Sequence, residues 1–152
     1  MLHVFEIKRE KLRLWQAPGE SFEHVLMKAL AYTLFIREHP KLQVEVRVGL
    51  RYKPDLVAIA EDGGFDLWVE CGMVSIAKTA WLLKHSSAKR IVIFKIGVGI
   101  EQLTKQLRAE IPAKYRPGGR LTIFNFVSDI RNLTASKQIA KVSTDWYTTT
   151  QV

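Results

Sequence analysis

The spacing of five apolar runs between residues 43 and 126 limits how this chain can build a sheet. Three of them are separated by only a few residues: QVEVRVGL from residue 43, PDLVAIA from 54 and FDLWVEC from 65. Gaps this short join only antiparallel neighbours, because a parallel connection needs a dozen residues or more. The other two runs, KRIVIFKI from 89 and LTIFNF from 121, each follow a stretch with helical periodicity, so they can lie parallel to an existing strand.

The remaining segments complete a single α/β unit. Alternating apolar residues predict an opening hairpin that turns near Lys8 to Lys11, and Pro18-Gly19 ends it. A helix is predicted from Phe22 to Leu34, with Ser21 as its cap; two further helices are predicted at 75–85 and 101–110. The order helix, three-stranded meander, helix, strand, helix, strand predicts a mixed central sheet with flanking helices. We interpret residues 1–152 as one domain in which 143–152 form an edge strand or a loose tail.

Composition narrows the class of protein. The chain carries 23 Lys and Arg against 15 Asp and Glu, a net charge of +8. Such a charge favours polyanions and predicts nucleic-acid binding that weakens steeply with salt, although a merely basic surface explains it about as well. The single cysteine excludes an internal disulfide and fits the cytoplasm. We expect no signal peptide and no membrane association, and leave a homodimer open.

Two carboxylates interrupt the apolar runs of YKPDLVAIAEDGGFDLWVECG. If Asp62-Gly63 forms a two-residue hairpin turn, Asp55 lies directly opposite Glu70. If Gly63-Gly64 turns instead, the register shifts by two, and both acids still face the same side. Opposed like charges are unfavourable, so a proton, a lysine or a cation must compensate them. Two hard oxygen donors suit Mg²⁺ or Mn²⁺; the alternative is a strand end where both acids reach solvent.

Further polar residues flank this pair in the sequence. Glu20, His24 and Lys28 follow at intervals of four and predict a polar stripe along the first helix. That stripe either brings Glu20 over the acid pair or faces solvent. Lys78 falls early in the second helix and Lys84 near its end. We hypothesise that the Lys78 ammonium points into a cleft that holds Glu20, Asp55 and Glu70, the alternative being a solvent-facing lysine.

These segments together resemble the PD-(D/E)XK nuclease superfamily, and more closely its YaeQ-like branch. The likeness rests on PGESFEHVLMKALAY, on YKPDLVAIAEDGGFDLWVECG and on the element order, over about residues 1 to 96. It implies an αβββαβ restriction-endonuclease-like core with Glu20, Asp55 and Glu70 as the catalytic acids. Asp55 and Glu70 would be the metal ligands. The superfamily's usual lysine position is occupied by Gly72, and the resemblance implies Lys78 as its replacement.

Three functions follow as hypotheses. The first is a nuclease that uses Mg²⁺ or Mn²⁺ to hydrolyse phosphodiester bonds, with DNA a better candidate than RNA and with Lys28, Lys53 and Lys84 contacting the nucleic acid. The second is a degenerate nuclease-fold module that binds nucleic acid or a protein without cleavage, which Gly72 favours. The third is a nucleotide-binding protein, based on Gly97-Val98-Gly99 between a strand and a helix; Gln102 replaces the glycine that a dinucleotide fingerprint needs, and a tight turn explains the glycines equally well.

Overall fold

The computed structural model describes residues 1–152, which form eight strands, four α-helices and two short 3-10 turns. The strands are β1 (Leu2–Ile7), β2 (Glu10–Trp15), β3 (Gln43–Val44), β4 (Leu56–Ile59), β5 (Phe65–Cys71), β6 (Ile91–Ile96), β7 (Leu121–Phe126) and β8 (Tyr147–Gln151). The helices are α1 (Phe22–Phe35), α2 (Ile76–His85), α3 (Ile100–Glu110) and α4 (Ile130–Leu133). None of the helices is both long and apolar enough to cross a membrane.

The central sheet contains six strands whose spatial order, β3-β4-β5-β6-β7-β8, follows the chain. Strands β3, β4 and β5 are antiparallel, β5, β6 and β7 are parallel, and β8 closes the edge antiparallel to β7. This confirms the predicted mixed sheet and resolves the last segment as an edge strand. Strands β1 and β2 form the predicted hairpin as a separate two-stranded sheet.

The first predicted strand is much shorter than its sequence pattern. Only Gln43 and Val44 pair with β4, and residues 45–53 leave the sheet. Glu45 adopts a left-handed backbone (φ 55°) while its N–H donates to the Asp55 carbonyl. The alternating pattern of QVEVRVGL indicated a longer strand because periodicity does not record this change of backbone direction.

Two apolar cores cover the two faces of the sheet. The β1–β2 hairpin and α1 pack on one face, where Phe5, Leu26 and Leu30 meet Leu67 and Phe94. Helices α2 and α3 cover the opposite face. They lie on the same side because both connect successive parallel strands in the same direction, and such crossovers are almost always right-handed. The core on this face includes Leu82 and Leu107 from the helices, Ile111 just after α3, and Trp68 and Ile93 from the sheet.

The hairpin between β4 and β5 turns differently from the prediction but reaches the predicted register. The Gly63 N–H donates to the Ala60 carbonyl, and Gly63 (φ 86°) is the only residue of residues 60–64 with positive φ. The loop is therefore one residue longer than a two-residue turn. A bulge at Asp66 compensates, since Ile59 pairs with Phe65 whereas Ala58 pairs with Leu67.

The bulge decides which residues of β5 face Asp55. Leu56 pairs with Val69, so extending the same register places Asp55 across from Glu70. Without the bulge the pairing would shift by one residue and every β5 side chain beyond it would change face. Asp66 is thus the local feature that aligns the two acids.

We expect Gly63→Ala to lower the free energy of unfolding by about 1 kcal/mol, because an L-residue in a left-handed conformation costs this much. An added Cβ at Gly63 meets no atom within 4 Å, so the loss reports backbone strain alone. Urea unfolding measures it. Gly118→Ala is the matched control, since it also has open space around the Cβ but no positive φ; equal stability of the two variants would contradict the turn geometry.

Candidate functional site

Polar side chains converge where the sheet changes from antiparallel to parallel pairing. Strand β5 is antiparallel to β4 and parallel to β6, so the carboxyl ends of β5 and β6 lie beside the start of β4. The N-terminal turn of α2 follows directly after β5, and the first half of α1 approaches from the other face. Ligands of open α/β sheets commonly bind outside the carboxyl ends of the strands.

Glu70 is the most buried acid of this region. Its side chain is only 4% exposed and accepts two hydrogen bonds: Oε1 from Trp68 Nε1 at 2.9 Å and Oε2 from Lys78 Nζ at 2.9 Å. Burial, together with the negative charge of Asp55, raises the pKa of Glu70 even though Lys78 and Trp68 act in the opposite direction. Burial and the neighbouring carboxylate therefore outweigh the Lys78 ion pair at this position.

Asp55 connects the ends of β4 and β5 to α1. Its Oδ2 accepts the Cys71 N–H at 2.7 Å, and its Oδ1 lies 3.4 Å from His24 Nε2. The hydrogen bond with Asp55 raises the pKa of His24, which outweighs the opposing effect of burial. His24 Nδ1 in turn lies 2.6 Å from Glu20 Oε1, so the imidazole bridges the two carboxylates.

Glu20 belongs to a second group of charges centred on Lys28. The Lys28 ammonium donates to Glu20 Oε1 at 2.6 Å and to Glu45 Oε1 at 2.7 Å. Burial alone would raise the pKa of Glu20, but the hydrogen bonds from Lys28, from the Ala17 N–H and from His24 lower it from 4.5 to about 2. Burial likewise disfavours the charged form of Lys28, yet its two carboxylate partners raise the pKa of the ammonium.

The positions of the predicted nucleic-acid contacts require one correction. Lys28 is completely buried, so its ammonium serves the two ion pairs and does not reach a phosphate backbone in this conformation. Lys53 is exposed in the segment that leads into β4, close to Asp55 in the chain. Lys84 is also exposed but lies near the far end of α2, where its ammonium is 5.4 Å from the centre of the Tyr115 ring.

Lys78 takes the position that we hypothesised for it. Ser75 caps α2 by accepting the Lys78 N–H, and this first turn directs the ammonium back to Glu70 and to 5.0 Å from the centre of the Tyr52 ring. Gly72 explains why the cation comes from the helix. Its φ of 85° is unfavourable for any lysine, and a Cβ there would lie 3.7 Å from His24 Cδ2 and point toward α1.

Lys95 is a residue of this site that the sequence reasoning missed. It lies near the carboxyl end of β6, and its ammonium donates to the Gly72 carbonyl. Burial lowers the pKa of Lys95. The alternation of β6 places it on the same sheet face as Ile93, which pairs with Glu70. A lysine after the apolar run IVIF is the only sequence signal for it, and it resembles an ordinary strand end.

The other candidate residues have structural surroundings. Cys71 is buried, and burial raises the pKa of its thiol well above the usual value, which disfavours a nucleophile. Trp68 is fully buried and is not available to stack on a base. Residues 97–99 form a tight strand-to-helix turn, in which the Asn125 side chain accepts the Val98 N–H and donates to the Val98 carbonyl. This is the tight turn that the sequence predicted as the alternative to a nucleotide loop.

The three predicted acids are connected through other groups of the protein. Glu20 reaches Asp55 through His24, and Asp55 reaches Glu70 through the end of β5. No three His, Cys, Asp or Glu side chains form a group that could hold a metal ion. The candidate set is therefore an acid pair, Asp55 and Glu70, with one cation from α2 and one from β6.

The fold and this site define an α/β protein whose charged residues gather at the topological change of a mixed sheet. Comparison with known proteins identifies the family: the profile of the YaeQ protein family matches residues 5–151, so the chain belongs to the YaeQ family. No curated protein sequence matches the chain.

Two solved structures share the fold. The YaeQ protein from Xanthomonas axonopodis pv. citri is 20% identical, with a TM-score of 0.62 over 84% of this chain and 68% of that chain. The YaeQ protein from Pseudomonas syringae is 17% identical, with a TM-score of 0.58 over 83% of this chain and 65% of that chain. The chain thus spans about two thirds of the length of these relatives, and the likeness at this identity establishes the fold.

The depressed pKa of Glu20 predicts how stability depends on pH. Because the pKa of the folded state, about 2, lies below the unfolded value of 4.5, ionised Glu20 stabilises the fold fully above pH 4.5, and this contribution is lost as the pH falls toward 2. The shift corresponds to on the order of 3 kcal/mol. We therefore expect Glu20→Gln to be destabilised at pH 7 and to lose less stability than the parent between pH 4.5 and pH 2.5.

Chemical unfolding at pH 7, 4.5 and 2.5 measures this difference. Glu110→Gln is the control, since Glu110 is an exposed carboxylate at the end of α3 without an ion pair. If Glu20→Gln and Glu110→Gln have the same pH profile, Glu20 does not stabilise the fold as described.

Proposed function

We propose that this chain is a divalent-metal-dependent nuclease that hydrolyses phosphodiester bonds of nucleic acid. The observation that carries the proposal is the contact between the Lys78 ammonium and Glu70, at 2.9 Å. Lys78 thus supplies beside the acid pair the cation that Gly72 lacks. An acid pair next to a lysine is the minimum set for metal-assisted phosphodiester hydrolysis, because negative charge accumulates on the phosphate oxygens in the transition state.

The donor set is compatible with Mg²⁺ or Mn²⁺. Mg²⁺ is commonly held by one or two carboxylates, with waters and substrate phosphates completing its coordination. Asp55 and Glu70 supply two hard oxygen donors at one end of the sheet. Burial and, after it, the charge of Asp55 raise the pKa of Glu70, and a bound cation would act in the opposite direction. When bound there, the ion would lower the pKa of a coordinated water and shield the charge of the phosphate.

The side chains of the protein have separate tasks in this proposal. Asp55 is fixed by the Cys71 N–H, and Glu70 is fixed by Trp68, so both acids are held before substrate arrives. Lys78, whose side chain is 23% exposed, stands between Glu70 and solvent and would stabilise the developing charge on the phosphate oxygens. Lys95 holds the Gly72 carbonyl and thereby the end of β5.

The resemblance to the YaeQ-like branch of the PD-(D/E)XK nucleases supports this proposal, since it implies Asp55 and Glu70 as metal ligands and Lys78 as the replacement for the usual lysine. The net charge of +8 supports a nucleic-acid substrate, for which we propose DNA before RNA. Exposed Lys53, directly before Pro54-Asp55, is the nearest candidate for a phosphate contact beside the site.

One observation favours the alternative of a binding module without cleavage. His24 already lies 3.4 Å from Asp55, and its raised pKa favours an imidazolium that offsets the charge of that acid. In such a module the ion pairs Asp55–His24 and Glu70–Lys78 would be purely structural. This module would bind nucleic acid or a protein partner without hydrolysing it, so cleavage of nucleic acid distinguishes the two functions.

We expect Lys78→Ala to reduce Mn²⁺-supported cleavage of single- and double-stranded DNA by about 100-fold or more, because one donor to the transition-state charge is worth this much. Its affinity for Mn²⁺, measured by calorimetry, should remain close to that of the parent. Asp55→Ala should lose both cleavage and metal binding.

Lys105→Ala is the control, since it removes an exposed lysine of α3 that has no ion pair and is not among the predicted nucleic-acid contacts. If the parent cleaves and Lys78→Ala cleaves equally well, the role of Lys78 is wrong. If the parent binds DNA but cleaves it with none of Mg²⁺, Mn²⁺, Ca²⁺ or Zn²⁺, the binding module is the better account.

A further inference from the structure

A second cleft lies at the other end of α1, away from the acids and lysines described above. It has a volume of about 1070 Å³ and is lined by three separate segments: the β1–β2 turn, the last turns of α1 and the loop 140–144. Thr33 at its wall is nine residues beyond His24 on α1, which corresponds to about 14 Å along the helix axis. The cleft therefore cannot be part of the candidate nuclease site.

The rim of this cleft gathers positive charge that nothing in the protein neutralises. Lys8, Arg9, Arg37 and Lys141 line it, against a single acid, Glu10. All five are exposed, and none takes part in an ion pair. Four cations from three segments, against one acid and without any ion pair among them, create a positive potential that attracts an anion.

The backbone adds further donors to this rim. The N–H groups of Ala140, Lys141, Val142 and Ser143 donate no hydrogen bond within the protein. Just before them, Ile139 is still paired through its N–H with the Glu6 carbonyl, and the chain then separates from β1. Free N–H groups beside lysine and arginine side chains are the elements that recognise carboxylate and phosphate oxygens.

The floor of the cleft has a different character. It is formed by aliphatic side chains, namely buried Ile7 and half-buried Leu34, Ile36 and Val142. No aromatic residue lines it, so it offers no surface on which a nucleobase could stack. A free phosphate would leave this apolar floor exposed to water, whereas an aliphatic chain would cover it.

From these observations we infer that the cleft binds a small anionic amphiphile, that is, a phosphate or carboxylate head group carrying an aliphatic chain. The head group binds at Arg9, Arg37 and the N–H groups of the 140–144 loop, and the chain lies on Leu34 and Val142. The volume is on the scale of small-molecule sites, which span roughly 300–1,000 Å³. This site is independent of metal binding and of the proposed nuclease.

The test uses a series of alkyl phosphates and the intact chain, in buffer with a chelator and no divalent metal. Calorimetry is performed with inorganic phosphate and with butyl, hexyl and octyl phosphate below their micelle concentrations. Full burial of a methylene increases affinity about fourfold. For this half-open floor we expect at least a twofold gain for each added methylene and a stoichiometry of one.

Variants locate the site. Arg9→Gln with Arg37→Gln should weaken octyl phosphate at least tenfold, whereas Lys84→Gln with Lys105→Gln, which removes two exposed cations elsewhere, should leave it unchanged. Val142→Asn should reduce the gain per methylene without changing the affinity for inorganic phosphate, which has no chain. Unfolding of each variant without ligand confirms that the fold is intact.

Four results would overturn the inference. Equal binding of inorganic and octyl phosphate would exclude the aliphatic floor, and equal binding of neutral octyl glucoside would show unspecific surfactant adsorption. An unchanged affinity of the Arg9 and Arg37 double variant would place the ligand elsewhere. Binding of an acidic, leucine-rich peptide but not of octyl phosphate would assign the cleft to a protein partner instead.

Discussion

The pairing of β4 with β5 is the constraint on which the site depends. This pair alone brings Asp55, at the start of one strand, beside Glu70, near the end of the other. The bulge at Asp66 keeps the pairing in register after a hairpin loop that is one residue longer than a two-residue turn. Because β5 also begins the parallel half of the sheet, the same strand end meets β6 and leads into α2. One register therefore determines the neighbours of both acids.

Each carboxylate near this strand end is paired with a basic side chain of α1 or α2. Glu70 is paired with Lys78 of α2, Asp55 with His24 of α1, and Glu20 with Lys28. Buried ion pairs carry a large desolvation cost, so removing one partner is far more damaging than removing a surface pair. This arrangement explains how several acids are tolerated close together, although burial still raises the pKa of Glu70.

The parts of this architecture that depend on local spacing could be predicted from the sequence. Alternation and gap lengths indicated the meander and the two crossovers. Counting from an Asp62-Gly63 turn gave the correct pairing of Asp55 with Glu70, but only because the longer loop and the bulge at Asp66 offset each other. Lys78 could be assigned to Glu70 because a helix that begins directly after a strand must pass its end. In each case the determining residues lie within about twenty positions of one another.

Tertiary contacts decided the remainder. Lys28 was expected on a polar stripe open to nucleic acid, but its partner Glu45 comes from a chain segment that leaves β3 in a left-handed conformation. The spacing of apolar residues in the sequence does not predict such a bend. Lys95 joins the site only because β6 lies parallel to β5, and one lysine at a strand end carries no signal of that neighbour.

We propose that a divalent ion binds between the start of β4 and the end of β5. Mn²⁺-induced line broadening of amide NMR signals tests this binding most directly. Broadening of a backbone signal depends steeply on its distance from the paramagnetic ion, so the first signals to disappear mark the site. We expect the amide signals of Asp55, Glu70, Cys71 and Gly72 to broaden at the lowest Mn²⁺ concentrations. Asp55→Asn should abolish this broadening. Broadening that begins at other residues, or that persists unchanged in Asp55→Asn, would contradict the proposed site.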